Sequence, residues 1–183
     1  MAKLNNITKI EAALRQLKTS IELFVNAGDT VSAYTLVRAS EEVLDKICMH
    51  RGLERSAMHQ GIEAMKISDE RKMNIFKKLN APKNYFKHAD RDSEIELQWS
   101  DGVIEHFISD CISMYKRING GINIPCELMA FSMLHRARNV DMYNESNMPE
   151  FDYNLEQIKE HIELEGLSKT YELAVVACIT NNK

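Results

Sequence analysis

Lys83-Asn84-Tyr85-Phe86-Lys87-His88-Ala89-Asp90-Arg91-Asp92 gathers three cations, a carboxamide, an imidazole, two aromatics and two carboxylates into one short stretch. Residues four apart on a helix share a face, so Asn84 and His88 are expected to project together with Lys83 and Lys87 beside them. Asn80-Ala81-Pro82 interrupts the helical pattern, and Pro82 suits the first turn of a helix better than its interior. The cluster is therefore expected at the start of a new helix. Unpaired N–H groups and a favourable dipole there would join Lys83, Asn84, Lys87, His88 and Arg91 in holding a phosphate-bearing ligand. In a cleavage reaction His88 could act as general acid or base near neutral pH. His88, Asp90 and Asp92 also form a His-x-Asp-x-Asp pattern able to offer mixed nitrogen and oxygen ligands to a divalent metal. The plainer alternatives are structural. Asn84 and His88 can bond neighbouring loops, and Asp90 and Asp92 can cap backbone N–H groups in a turn and pair with Arg91.

Other chemically capable residues are more scattered. His106 and Asp110 share a face of a later helix, either orienting His88 or, as the simpler expectation, facing solvent. His50-Arg51 and Arg55…His59 flank a turn. His135-Arg136-Ala137-Arg138 ends a helix, where the dipole favours cations. Tyr85 and Phe86 could stack on a base, but anchoring their helix to the core is the simpler role. The ten methionines read as gap-filling core residues.

Amphipathic helices must position these groups. Ile7, Ile10, Leu14, Leu17, Ile21 and Phe24 recur at three- and four-residue steps, predicting a helix from near Ile7 with Asn6 as N-cap. Ala27-Gly28-Asp29 stops it, with Gly28 as a left-handed cap. Asp29 or Thr30 then caps a second helix that ends at Arg51-Gly52, and so short a turn makes the pair antiparallel. A third helix is expected from Arg55 to Leu79, with the polar run Ser68 to Lys72 as a potential break. Ser93 to Trp99 alternates with a strand period. Ser100 or Asp101 caps the next helix, which ends at Asn119-Gly120-Gly121. Pro125 opens another that fades near Asn139, and Asp141 to Asp152 reads as a polar loop. Two closing helices flank Gly166. The fold class expected is all-α: an up-down bundle of about seven or eight helices, with at most one short β element near residues 94–99, in a single domain over 1–183.

The bulk numbers agree with that fold. Of 183 residues, 44% are hydrophobic and 27% charged, and seven Gly and three Pro are few breakers for a many-turned β-fold. A net charge of −4 and a pI near 5.9 argue against duplex DNA as a partner. The N-terminus lacks the apolar core of a signal peptide, and no run approaches the roughly 18 apolar residues of a membrane span. Cys48, Cys111, Cys126 and Cys178 lie far apart without a C-x-x-C pair, which predicts buried free thiols in a reducing cytoplasm.

Lys83-Asn84-x-x-x-His88 resembles the R-N-x-x-x-H signature of HEPN domains, the "higher eukaryotes and prokaryotes nucleotide-binding" helical superfamily. The opening is similar too: Ala12-Ala13-Leu14, Glu22-Leu23-Phe24, a Gly28-Asp29 turn, then Ala33-Tyr34-Thr35-Leu36. The likeness spans roughly residues 7 to 118. The chain is also similar to bacterial proteins of unassigned activity that carry an N-x-F-K-H-A-D-R-D block. The resemblance implies a polar motif early in a late helix, often facing its copy across a homodimer. In toxin members the motif's Arg and His form a metal-independent ribonuclease centre, and other members bind nucleotides or are inactive partners. Carried over, Asn84 and His88 match, while Lys83 stands at the Arg position and lacks the planar fork that grips a phosphate. The implied function is a cytoplasmic nucleotide-, RNA- or partner-binding module without turnover or cofactor. The alternatives are a metal-independent ribonuclease using His88, Lys83 and Asn84, and a divalent-metal protein using His88, Asp90 and Asp92.

Overall fold

The computed structural model describes residues 6–87, 94–140 and 155–181. These residues form eight helices and no strand: α1 (Lys9–Val25), α2 (Thr30–His50), α3 (Ala57–Ala64), α4 (Asp69–Lys87), α5 (Val103–Ile118), α6 (Cys126–Arg138), α7 (Leu155–Glu165) and α8 (Leu167–Asn181). The fold is an all-α helical bundle, as the periodicity predicts. No described helix is long and apolar enough to cross a membrane.

Small residues set the distance between α1 and α2. Ala13 and Ser20 on α1, and Ala33 and Ser40 on α2, are wholly buried. Their short side chains let the two backbones come close enough for hydroxyls to bond across the seam. Ser20 Oγ donates to the Ala33 carbonyl at 2.7 Å, and Ser40 Oγ donates to the Ala13 carbonyl at 2.9 Å. Each bond satisfies a hydroxyl that would be costly to bury alone.

The remaining core helices join in parallel pairs. Tyr34, Val37 and Arg51 of α2 and its C-cap meet Phe107, Cys111 and Ile118 of α5 in the same chain order. Lys18 and Phe24 of α1 likewise meet Glu127 and Phe131 of α6. Ile104, Ile108, Cys111 and Met114 on α5 and Leu128 on α6 complete the core with Leu17, Ile21, Val37 and Leu44. Because α2 and α5 run parallel, the chain must return to the start of the bundle between them. Helices α3 and α4 and residues 94–102 make that return. Helices α7 and α8 lie at the margin: α7 has no buried residue, and α8 buries only Thr170, Tyr171 and Ala174.

Several boundaries differ from the sequence expectation. Thr8, and not Asn6, caps α1, because its hydroxyl and the Glu11 side chain form a reciprocal capping box. The left-handed residue after α1 is Ala27 (φ 49), and not Gly28. Ala27 N–H bonds the Phe24 carbonyl at 3.3 Å and Gly28 N–H bonds the Leu23 carbonyl at 2.8 Å, a Schellman closure. Gly28 is favoured for another reason: a Cβ there would stand 3.2 Å from the Leu23 carbonyl oxygen, a tight contact. The same closure ends α2 with Gly52 (φ 66) in the left-handed position. The expected third helix is broken at residues 65–68, where the polar run begins, into α3 and α4.

Pro82 does not open a helix; it lies inside α4. It removes the hydrogen bond that residue 82 would give to the Lys78 carbonyl. Contacts with α2 on both sides of the proline hold the helix together there: Asn80 to Arg38 and Lys83 to Glu42. Residues 94–99 are not a strand, since no partner strand is present among the described residues to supply a ladder. Their alternation survives as half-buried Leu97 and Trp99 between exposed neighbours. Gly102, without a side-chain bond, takes the N-cap expected of Ser100 or Asp101.

Ala27 bears a Cβ in a backbone region that disfavours it. Ala27→Gly is expected to raise stability by about 0.5–1 kcal/mol, measured by urea unfolding at unchanged slope.

Candidate functional site

Lys83, Asn84 and Lys87 occupy the last two turns of α4, not the first turns of a helix. The expected helix N-terminus is thus replaced by a C-terminus, whose dipole favours the lysines themselves and not an anion. Lys83 turns toward α2, where its ammonium meets Glu42 Oε2 at 2.5 Å. This contact holds the Glu42 carboxyl below its ordinary range. Asn84 and Lys87 are exposed. Adjacent residues diverge on a helix, so Lys83 and Asn84 do not act from one side. His88, Asp90, Arg91 and Asp92 lie outside the described residues. Phe86 anchors the helix as expected, edge-on to Tyr34 at 5.8 Å and to Trp99 at 5.3 Å. The Tyr85 hydroxyl donates to the Ile95 carbonyl and ties down the start of residues 94–99.

The densest polar constellation is the seam between α2, α4 and α5. Tyr34, Arg38, Glu41 and Asp45 recur at helical spacing on one face of α2. Arg38 and Glu41 are 4% and 5% exposed, so a full ion pair is sequestered from water. Arg38 Nη1 lies 3.3 Å from Glu41 Oε2, and Nη2 donates to Asn80 Oδ1 at 2.5 Å. The guanidinium carbon sits 4.2 Å from the centre of the Phe107 ring, a cation–π contact strengthened by desolvation. Arg38 Nε is buried with no hydrogen-bond acceptor. Burial pushes the Glu41 carboxyl up, against the pull of Arg38. Asn80 is held for its task by donating Nδ2 to the Phe76 carbonyl at 2.9 Å.

A second charge cluster adjoins the first. Arg55 grips Asp45 with two donors, Nε at 2.9 Å and Nη2 at 2.6 Å. Burial alone would raise the Asp45 carboxyl, but the Arg55 bonds and the Ser56 N–H outweigh it and hold it low. His59 lies against Arg55 and stacks edge-on with Phe76 at 4.8 Å. Asp110, expected on a solvated face with His106, is buried instead. It accepts from Ser56 Oγ at 2.5 Å and from Ala57 N–H at 2.8 Å, and so caps α3 from α5. His106 faces His135, with ring nitrogens 3.4 Å apart. Burial pushes the His135 imidazole down to about 4, helped by His106 and the arginines of its own turn. Arg138 does not simply end its helix, since it meets the largely buried Glu105 at 3.2 Å.

Among the described residues no group of three His, Cys, Asp or Glu could hold a metal ion. The proposed His88, Asp90 and Asp92 set falls outside those residues. Reading the chain for exposed chemistry missed Arg38, Glu41, Asp45 and Asn80. The available signal was their spacing: Arg38, Glu41 and Asp45 follow Tyr34 at steps of four, three and four, on the same stripe as its apolar residues. Of the four cysteines, Cys48 and Cys111 are buried as expected, while Cys126 and Cys178 are partly exposed. No family model, curated protein or solved structure matches this chain.

Two measurements test the seam. Arg38→Ala should cost about 3–5 kcal/mol in urea unfolding, because Glu41 is left as a lone buried charge, while Arg38→Met with Glu41→Leu should cost far less. Asp45 has a lowered folded value, so its stabilisation is complete above the unfolded carboxyl's 3.8 and is lost as pH falls through the lower folded one. Asp45→Asn should therefore lower the melting temperature at neutral pH and flatten the acid limb below about pH 4.

Proposed function

We propose that this chain is a HEPN-like module that binds the phosphates of a nucleotide or RNA strand without turning it over. The observation that carries this reading is the engagement of Lys83 by Glu42 at 2.5 Å. Lys83 stands at the motif's Arg position, and a cation paired with a carboxylate is poorly placed to hold a scissile phosphate. The lysine also lacks the bidentate fork that phosphate gripping favours. Asn84 and Lys87, by contrast, are open to a ligand at the end of α4, where the chain continues into His88 and Arg91. The helical opening that resembles the family is present as the α1–α2 hairpin. In this reading the module pairs as a homodimer, as the resemblance implies, and works in the reducing cytoplasm that its cysteine usage suggests.

The test is to incubate labelled single-stranded RNA with the protein in EDTA, wild type beside His88→Ala, and to follow retention and cleavage together. Binding without cleavage is expected. Retention should weaken roughly tenfold in Asn84→Ala with Lys87→Ala and fall with added salt. Cleavage by the wild type but not by His88→Ala would replace this reading with a metal-independent ribonuclease, and Lys83→Arg would then raise the rate. Stoichiometric metal lost on chelation, with a melting temperature restored by readdition, would install the divalent-metal reading at His88, Asp90 and Asp92. Neither retention nor cleavage would sink the nucleic-acid reading. Light scattering should give twice the 21.0 kDa chain mass if the protein pairs.

A further inference from the structure

Cys126 is the first residue of α6, and Cys178 lies near the end of α8. They are 52 residues apart in sequence, yet their sulfurs meet at 2.7 Å. Both side chains are partly exposed, so a small oxidant can reach them. The other two thiols are placed differently. Cys48 and Cys111 are wholly buried, and burial pushes both thiols up, which suppresses the thiolate that would react.

We propose that Cys126 and Cys178 are an oxidisable dithiol, a site of reversible modification that ties α8 to α6 when a low-molecular-weight disulfide becomes available. One protein thiolate attacks the small disulfide, forms a mixed disulfide and releases one small thiol. The second protein thiolate attacks the mixed disulfide, closes the Cys126–Cys178 bond and releases the other small thiol. The protein loses two electrons and two protons, and the small disulfide gains them. Because the sulfurs already meet, closure requires only a short further approach of the two sulfurs.

The position gives the bond a purpose. Helices α7 and α8 rest on the bundle through few buried residues, Thr170, Tyr171 and Ala174, with Ser168 bonded to Asn26 at the turn. In the reduced protein this closing hairpin is held to the rest of the bundle by few buried side chains. A covalent tie across it removes the open states available to that hairpin alone.

The experiment equilibrates the full chain with glutathione disulfide, blocks remaining thiols with an alkylating agent, and maps the peptides by mass. Expected are a mass about 2 Da lower before alkylation and one cross-linked peptide pair carrying Cys126 and Cys178. The melting temperature should rise by roughly 5–10 °C and return on reduction with dithiothreitol. Amide exchange should slow mainly in α7 and α8. Cys126→Ser and Cys178→Ser should each abolish the oxidant-dependent rise. Should either variant fail to fold, the wild-type peptide map still decides. Alkylation of both cysteines after oxidant treatment, or a separate glutathione on each, overturns the proposal.

Discussion

Helix α2 carries different demands on its two sides, and the rest of the bundle is arranged around them. One side needs a neighbour close enough to bury Ala33 and Ser40, which α1 supplies with Ala13 and Ser20. The other side must keep a guanidinium and a carboxylate out of water. A buried ion pair is tolerable only when its remaining hydrogen-bonding capacity is met by neighbours. Asn80 from α4 supplies an acceptor and the Phe107 ring from α5 a cation–π contact, with Arg38 Nε left over. The placement of α4, an otherwise weakly buried helix, is tied to this requirement, since Asn80, Lys83 and Phe86 are what α2 holds.

The same arrangement is the physical ground for proposing binding rather than catalysis at the end of α4. Positive groups on this face of the molecule are matched by carboxylates: Arg38 by Glu41, Arg55 by Asp45 and Lys83 by Glu42. Matched charges position one another but leave little field to stabilise developing charge on a substrate. What stays uncommitted is the exposed rim at Asn84 and Lys87, beside the aromatic anchor of Phe86, Tyr34 and Trp99.

Elements governed by periodicity were readable before the fold was seen. The stripes of α1 and α5, the glycine stops after α2, α5 and α7 and the number of helices follow from side-chain spacing and backbone freedom, which are local. Pro82 misled because local preference was outweighed by long-range contacts on either side of it. The polar seam was hidden for a related reason. Arg38, Glu41 and Asp45 look like a solvated face until Asn80, Phe107 and Arg55 arrive from distant parts of the chain. Asp110 reversed its expected exposure likewise, because its partners, the Ser56 hydroxyl and the Ala57 N–H, belong to a helix start that spacing within α5 could not reveal. The parallel pairing of α2 with α5 has no signature in either helix alone.

That parallel pairing sets an order on how the chain can assemble. The α1–α2 hairpin closes across a turn of a few residues, so its contacts cost little chain entropy and can form early. The contact between Val37 and Cys111 joins residues 74 apart, and it must wait until α3, α4 and the following segment have doubled back. Until α5 docks, Arg38 has neither Phe107 nor a dry surrounding, and its charge is at home in water. The step that docks α5 is thus also the step that dehydrates the ion pair, so the most distant contacts in the chain and the burial of its charges arrive together.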